Sequence, residues 1–484
     1  MVFNSVEFAV FFTGFFLLYW FVFNRYLKQQ NLLILIGSYV FYAWWDWRFL
    51  LLLAASTAFN YYLGIHIKKA ETFTRRRFLL YLGLLQALGT LLYFKYFNFF
   101  IESFTRGFSA FDLNIDVHLV NIILPLGISF YTFRTVSYII DIYNGKTQPT
   151  TNWVIFFAYV AFFPTLISGP IDRVGLLIPQ FETKRVFNYE NAVDGMRQIL
   201  WGFFKKMVVA NNCALIANPV FDRYHDLPAS TLVLGAFFYT IQIYADFSGY
   251  TDMATGFSRL LGFNITKNFN YPFFARNIAD YWRRWHMSLT SWVTDYVFLP
   301  LTIRFRDYGK IGLVMAIMIN LIVVGIWHGA NWTFILYGVL HGLYFIPLII
   351  KGTMNKKKKA GIASSFQSFS ELKNILLTFL LVMFTNVVFR ARNITEAFNY
   401  YMSLFSKTII AKPVLATDAT IVITTIVCIV VMLSIEWIHR EKSYGFQIGY
   451  FKKPVLRWAL YLVLITSIFC FSPAEGSQFI YFQF

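Results

Sequence analysis

The sequence predicts an all-helical protein that crosses a membrane many times, and three observations carry that prediction. Of the 484 residues, 58% are hydrophobic and 21% aromatic, while only 14% are charged; a water-soluble chain carries about a quarter charged residues. Mean hydropathy is +0.55. Apolar runs of roughly membrane-spanning length recur along the chain, and they are continuous instead of alternating as the strands of a barrel would be. Basic residues collect in the short segments between the runs, so the net charge of +18 reads as positive-inside topology. Nucleic-acid binding has no recognition motif to support it.

The first run, 5–23, has no basic residue ahead of it and Arg25 and Lys28 behind it. That reverses the charge order of a signal peptide and predicts a retained helix with its N-terminus outside. Further runs at 31–53, 78–100, 119–140, 152–168, 231–249, 311–327, 331–350, 374–389, 419–437 and 455–471 bring the expectation to about eleven spans. The basic segments 68–77, 184–185, 205–206, 283–306, 351–359 and 440–453 are expected as cytoplasmic loops. Two regions, 187–220 and 268–306, are too polar to cross as ordinary lipid-facing helices and are expected as interfacial or re-entrant segments. With no repeat and no linker, residues 1–484 are expected to form one integral membrane domain with an aromatic C-terminal tail over 472–484.

Histidine is costly in a bilayer and titrates near neutral pH, so each one at membrane depth is a candidate base or proton relay. Two stand beside tryptophan: His286 in YWRRWHMSLTSW and His328 in GIWHGANW. His328 lies between Gly325 and Gly329, which let a backbone or substrate approach closely. A neutral imidazole there can take a proton from an alcohol attacking a thioester. The plain alternative is a packed histidine bonded to a carbonyl. At helical spacing Trp282, His286 and Thr290 share a face, an arrangement that suits a membrane interface with the indoles of Trp282 and Trp285 at headgroup level. Arg283, Arg284, Arg304 and Arg306 could bind the phosphates of a coenzyme or carrier pantetheine, or simply contact lipid headgroups.

Asp246, Tyr250 and Asp252 in ADFSGYTDMATG form a polar cluster at membrane depth. A carboxylate there could orient a catalytic imidazole, or it could bridge broken helices. LPLGISFYTF at 124–133 and FFPTLISGPIDR at 162–173 place Gly and Pro at similar depth. Cys213, Cys428 and Cys470 are scattered, and no His-x-x-x-His pair occurs, so neither a disulfide framework nor a metal site is expected. Phosphate-loop, dinucleotide and Gly-x-Ser-x-Gly signatures are absent as well.

Taken together and in this order, LPLGISFYTF, FFP with GPIDR, DFSGYTDMATG, YWRRWHMSLTSW with DYVFLPL, and WHGANW resemble the membrane-bound O-acyltransferase family, in its bacterial alginate O-acetylation and teichoic-acid D-alanylation branch. The resemblance covers most of the chain. It implies a ring of helices around a central cavity, with His328 as the essential histidine and His286 as a second active-site element. One departure is Thr294, where members of the family often carry arginine before the Asp-Tyr of DYVFLPL.

The resemblance further implies an inner-membrane O-acetyltransferase that holds no permanent cofactor and uses acetyl-CoA as its acyl-donor substrate. The acceptor would be an extracytoplasmic glycan hydroxyl, reached with the help of an SGNH-hydrolase-like transferase partner. D-alanyl transfer from an acyl carrier protein to teichoic acid is the nearest alternative; a transporter or flippase with histidine proton relays is the alternative of another class. The tail SQFIYFQF resembles the aromatic C-terminal motif of the small membrane partner in D-alanylation. Its Tyr481 is therefore a candidate acyl relay, since a phenol can carry an acyl ester, or else an aromatic interface anchor.

Overall fold

A computed structural model describes residues 1–109, 111, 120–354, 369–473 and 478–480. Their regular structure is helical throughout. Eight helices among them are long and apolar enough to cross a membrane: Trp47–Lys69, Phe73–Ser109, Tyr189–Asp222, Arg306–His328, Trp332–Ile350, Phe369–Arg390, Ala419–Ile438 and Pro454–Phe471. The expectation of about eleven spans therefore changes in its particulars. The run 31–53 is interrupted at Trp44–Asp46, where the Asp46 carboxylate caps the next helix by accepting from the Arg48 N–H at 3.0 Å. The run 152–168 is also broken, into Trp153–Val160 and Phe163–Leu166, because Pro164 cannot continue the first helix.

The region 187–220, expected to be too polar, instead contributes the 34-residue helix Tyr189–Asp222, with a mean hydropathy of 1.2 over its apolar window. Most of that window is buried in protein, which is how so polar a helix is accommodated. Lys205 and Lys206 are consequently not loop charges; they are 3% and 4% exposed, within a π-helical stretch of this helix, Phe204–Ala210. Arg185, also read as a loop charge, is buried, donating to Asn31 Oδ1 at 2.6 Å with its guanidinium 4.9 Å from the Phe263 ring.

The chain divides into two compact units, Met1–Gly195 with Ala254–Thr266, and Met196–Met253 with Lys267–Phe484. In the first, the N-terminal helix brings Phe8 and Phe12 to within 4.9 and 4.7 Å of Phe257, ring centre to ring centre. Tyr19 and Trp20 donate to the carbonyls of Leu261 and Leu260, each at 2.9 Å. The break after Val160 leaves carbonyls that lipid cannot satisfy. Arg134, fully buried, meets that need by donating to the carbonyls of Val160, Thr165 and Pro170 at 3.1, 3.0 and 3.2 Å. Gly127 admits this arrangement, since it has φ +72° and a side chain there would fall 2.6 Å from the Leu166 carbonyl oxygen.

The second unit carries the helical hairpin Arg306–His328 and Trp332–Ile350. Its turn is fixed by Asn331, whose side chain accepts from the Thr333 N–H at 3.0 Å and donates to the Arg392 carbonyl at 2.7 Å. Gly325 lies against the Phe334 carbonyl oxygen so closely that any Cβ would collide with it, which lets the helix carrying His328 approach its neighbour backbone to backbone.

Candidate active site

The WRRWH segment is not one helix. A short helix, Ile278–Trp282, is capped by Asn277 and ends at Arg283; another, Met287–Val293, begins after His286. His286 itself joins them in the left-handed region, with φ 42° and ψ 53°. A residue with a Cβ is held there at a cost of about 1–3 kcal/mol and persists only when its surroundings demand it. The demand comes from a return strap at 268–270. Met287 N donates to the Asn268 carbonyl at 2.8 Å, and Asn270 N donates to the Arg284 carbonyl at 2.9 Å. Trp282, His286 and Thr290 therefore do not line one helical face, as their spacing suggested.

The Asn268 side chain completes the strap. Its Oδ1 accepts from His286 Nδ1 at 3.0 Å, from the Ser288 N–H at 3.2 Å and from the Ser288 hydroxyl at 2.9 Å. With Nδ1 donating, the proton of the neutral ring sits on Nδ1 and the lone pair on Nε2. Burial is complete and pushes the His286 pKa down to about 3, so the ring is neutral at physiological pH. An amide, 18 residues away in sequence, takes the orienting role that was one of the two open to a carboxylate.

His328 ends its helix at 3% exposure. The two candidate histidines meet at one indole: Trp327 lies 5.4 Å from the His286 ring and 5.1 Å from the His328 ring, edge-on to both. Phe389 at 5.0 Å and Tyr337 at 5.9 Å flank His328. Sequence spacing alone could not place residues 286 and 328 around a shared ring, though both were singled out by their Trp-His pairs.

The donor-side candidates divide. Trp282 and Trp285 are buried in protein at 4% and 3% exposure, so their rings do not face lipid headgroups. Trp282 donates from Nε1 to His341 Nδ1 at 3.3 Å, and Trp285 packs 5.1 Å from Phe269. Arg284 is engaged within the fold, by Asp280 at 3.1 Å and the Asn270 carbonyl at 3.2 Å. Arg283 and Arg304 are exposed, Arg283 reaching the Met354 carbonyl at 3.3 Å.

The acidic cluster pairs with lysine, not with histidine. Asp246 takes Lys206 Nζ at 2.7 Å. Asp252 takes Lys205 and accepts from Gln198 at 2.7 Å, and Glu436, bonded to the Tyr244 hydroxyl at 2.8 Å, closes the same buried network. Tyr250 stacks on Phe479, 4.7 Å between ring centres. Tyr481 lies outside the described residues. Among those described, no three His, Cys, Asp or Glu side chains gather as a metal ion would require.

Residues 150–355 match the model of the membrane-bound O-acyltransferase family, a span that holds both histidines and Asn268. The chain is 40% identical to a probable alginate O-acetylase, AlgI, of Pseudomonas aeruginosa over 413 residues, covering 84% of this chain and 75% of that protein. It is 31% identical to a peptidoglycan O-acetyltransferase of Helicobacter pylori, covering 82% and 78% of the two chains. To a teichoic acid D-alanyltransferase of Bacillus subtilis it is 31% identical, over 56% of this chain and 70% of the other.

Proposed function

The chain belongs to the membrane-bound O-acyltransferase family, and on that footing we propose that it moves acetyl groups from cytosolic acetyl-CoA to a hydroxyl of an extracytoplasmic glycan. The observation that carries this reading is the pair of buried histidines sharing the Trp327 ring. Such a site is water-poor, so a bound thioester is shielded from hydrolysis while an imidazole is at hand as base. Preference for acetyl over D-alanyl follows the relatives. The acetylase named for alginate is more alike, and over more of the chain, than the D-alanyltransferase.

In the first step the Tyr481 phenol oxygen attacks the acetyl carbonyl and His328 takes the phenolic proton. The carbon–sulfur bond breaks, an aryl ester forms, and the departing thiolate recovers that proton as free thiol. In the second step an acceptor hydroxyl, presented by an SGNH-hydrolase-like partner, attacks the ester and gives its proton to the histidine. The phenol leaves with that proton, and the glycan ester is formed. His286, with its lone pair at Nε2, suits accepting a hydrogen bond that orients the donor, not donating one to its carbonyl. Arg283 and Arg304, being exposed, are the residues suited to the donor's phosphates. The work would be done in the bacterial cytoplasmic membrane.

Purified protein given radiolabelled acetyl-CoA in detergent tests the scheme. Label on the protein that is lost in His328→Ala and in Tyr481→Phe is the expected result. Label that survives Tyr481→Phe removes the relay and keeps the acetyltransferase. Absence of any transfer from acetyl-CoA, with transfer from a charged carrier protein, replaces acetyl by D-alanyl chemistry.

A further inference from the structure

Phe479 and Ile480 are 5% and 3% exposed, beyond a helix whose final carbonyl, at Phe471, is bonded by Asn212 at 2.7 Å. Their environment is built from charge as well as from apolar surface. Asp246 divides its carboxylate: Oδ1 pairs with Lys206 at 2.7 Å, and Oδ2 accepts the Ile480 N–H at 2.8 Å. Lys206 Nζ in turn lies 6.0 Å from the centre of the Phe479 ring. That ring stacks on Tyr250 at 4.7 Å and approaches Phe247 at 6.2 Å. Phe247 stands edge-on to His286, 4.7 Å away.

A buried ion pair is a poor source of stability, because apolar residues of the same size generally do as well. It is a good source of register, because a carboxylate bonded to one particular backbone N–H admits one placement of the chain. We propose that Asp246 and Lys206 form a seat that grips the Phe479–Ile480 step of the tail and fixes the register of the chain as it leads towards Tyr481. They are positioning residues for acyl transfer. The proposal rests on the relay reading for its catalytic consequence, whereas the grip itself stands on the geometry alone. The Asp246–Tyr250 spacing, four residues apart on one helix, puts the charged and the aromatic half of the seat on the same face.

Two readouts on the full-length, detergent-purified protein with its native C-terminus test this. The first is digestion with carboxypeptidase Y followed by intact-mass spectrometry. Trimming past Ile480 towards residue 472 is expected to proceed at least tenfold faster in Phe479→Ala and Asp246→Asn than in the native protein. The second is acetyl labelling at Tyr481, expected to fall at least tenfold in both variants with the KM for acetyl-CoA unchanged, and to recover in Phe479→Tyr, which keeps the stack. Phe479→Ala leaves no buried charge unpaired, so it remains informative should Asp246→Asn fail to fold. Equal trimming in native and variant proteins overturns the seat. Faster trimming with unchanged labelling overturns its positioning role. Variant-dependent trimming with no label at Tyr481 in the native protein overturns the relay and leaves the seat supported.

Discussion

Asn268 holds His286 by its amide oxygen, 3.0 Å from Nδ1, and uses the same atom to bind both donors of Ser288. One neutral side chain thus fixes the tautomer of the ring and the start of the following helix. Asn268→Ala is expected to lower kcat for acyl transfer by about 10- to 100-fold with a smaller change in KM, the range found when a metal-bound histidine loses the partner that orients it. Steady-state kinetics on detergent-solubilised protein measure this. An unchanged kcat would remove Asn268 from the site.

Burial sets the direction of one pH effect. The His286 pKa is about 3 in the folded protein and about 6.5 when unfolded. Between those values the unfolded chain binds the extra proton, so stability rises with pH across the window and is lost as pH falls from about 6.5 towards 3. Thermal melts from pH 7 to pH 5 are expected to show a steeper loss for the native protein than for His286→Gln. The difference is at most about 1.4 kcal/mol per pH unit for one proton. Parallel melting curves would show that His286 is not held neutral.

Close approach of the hairpin helices at Gly325 makes a third prediction. Gly325→Ala puts a methyl group against the Phe334 carbonyl oxygen. Overpacking of this kind costs about 1–3 kcal/mol, and here it also displaces the helix that ends in His328. Melting temperature and transfer activity are both expected to fall. Gly89→Ala, where no heavy atom lies within 4 Å of the new Cβ, serves as the control that lowers neither.

The residues proposed to meet the acyl donor should separate by their environment. Arg283→Ala and Arg304→Ala are expected to raise the KM for acetyl-CoA severalfold with little effect on melting, since both side chains are exposed. Trp282→Phe removes the hydrogen bond to His341, worth about 0.5–1.5 kcal/mol, and should lower stability while leaving KM in place. The reverse pattern would move the donor to the tryptophan side.

The legible parts of this protein were those written locally. Continuous apolar runs marked the helices 311–327 and 331–350, which appear as Arg306–His328 and Trp332–Ile350. Trp-His pairs marked both histidines. What the sequence withheld was partnership over distance. Lys205 and Lys206 looked like loop charges because their counter-charges come from other helices, Glu436 among them more than two hundred positions later. Asn268 carried no signal, being a neutral amide in the run TKNFN. The left-handed turn at His286 hid behind a spacing that fits a helix equally well.

Arg134 has a consequence for how far this fold tolerates change. Three carbonyls from both sides of a helix break converge on one guanidinium, which distributes its N–H groups in a fixed planar fork. A lysine would bring the same charge but only a single compact donor centre, and the polar groups it failed to reach would have to draw water inward. Leakiness to solvent at membrane depth is thus guarded by the shape of a side chain, not by its charge. Hydrogen–deuterium exchange in residues 159–170 would therefore be an earlier sign of damage at position 134 than any loss of helix content.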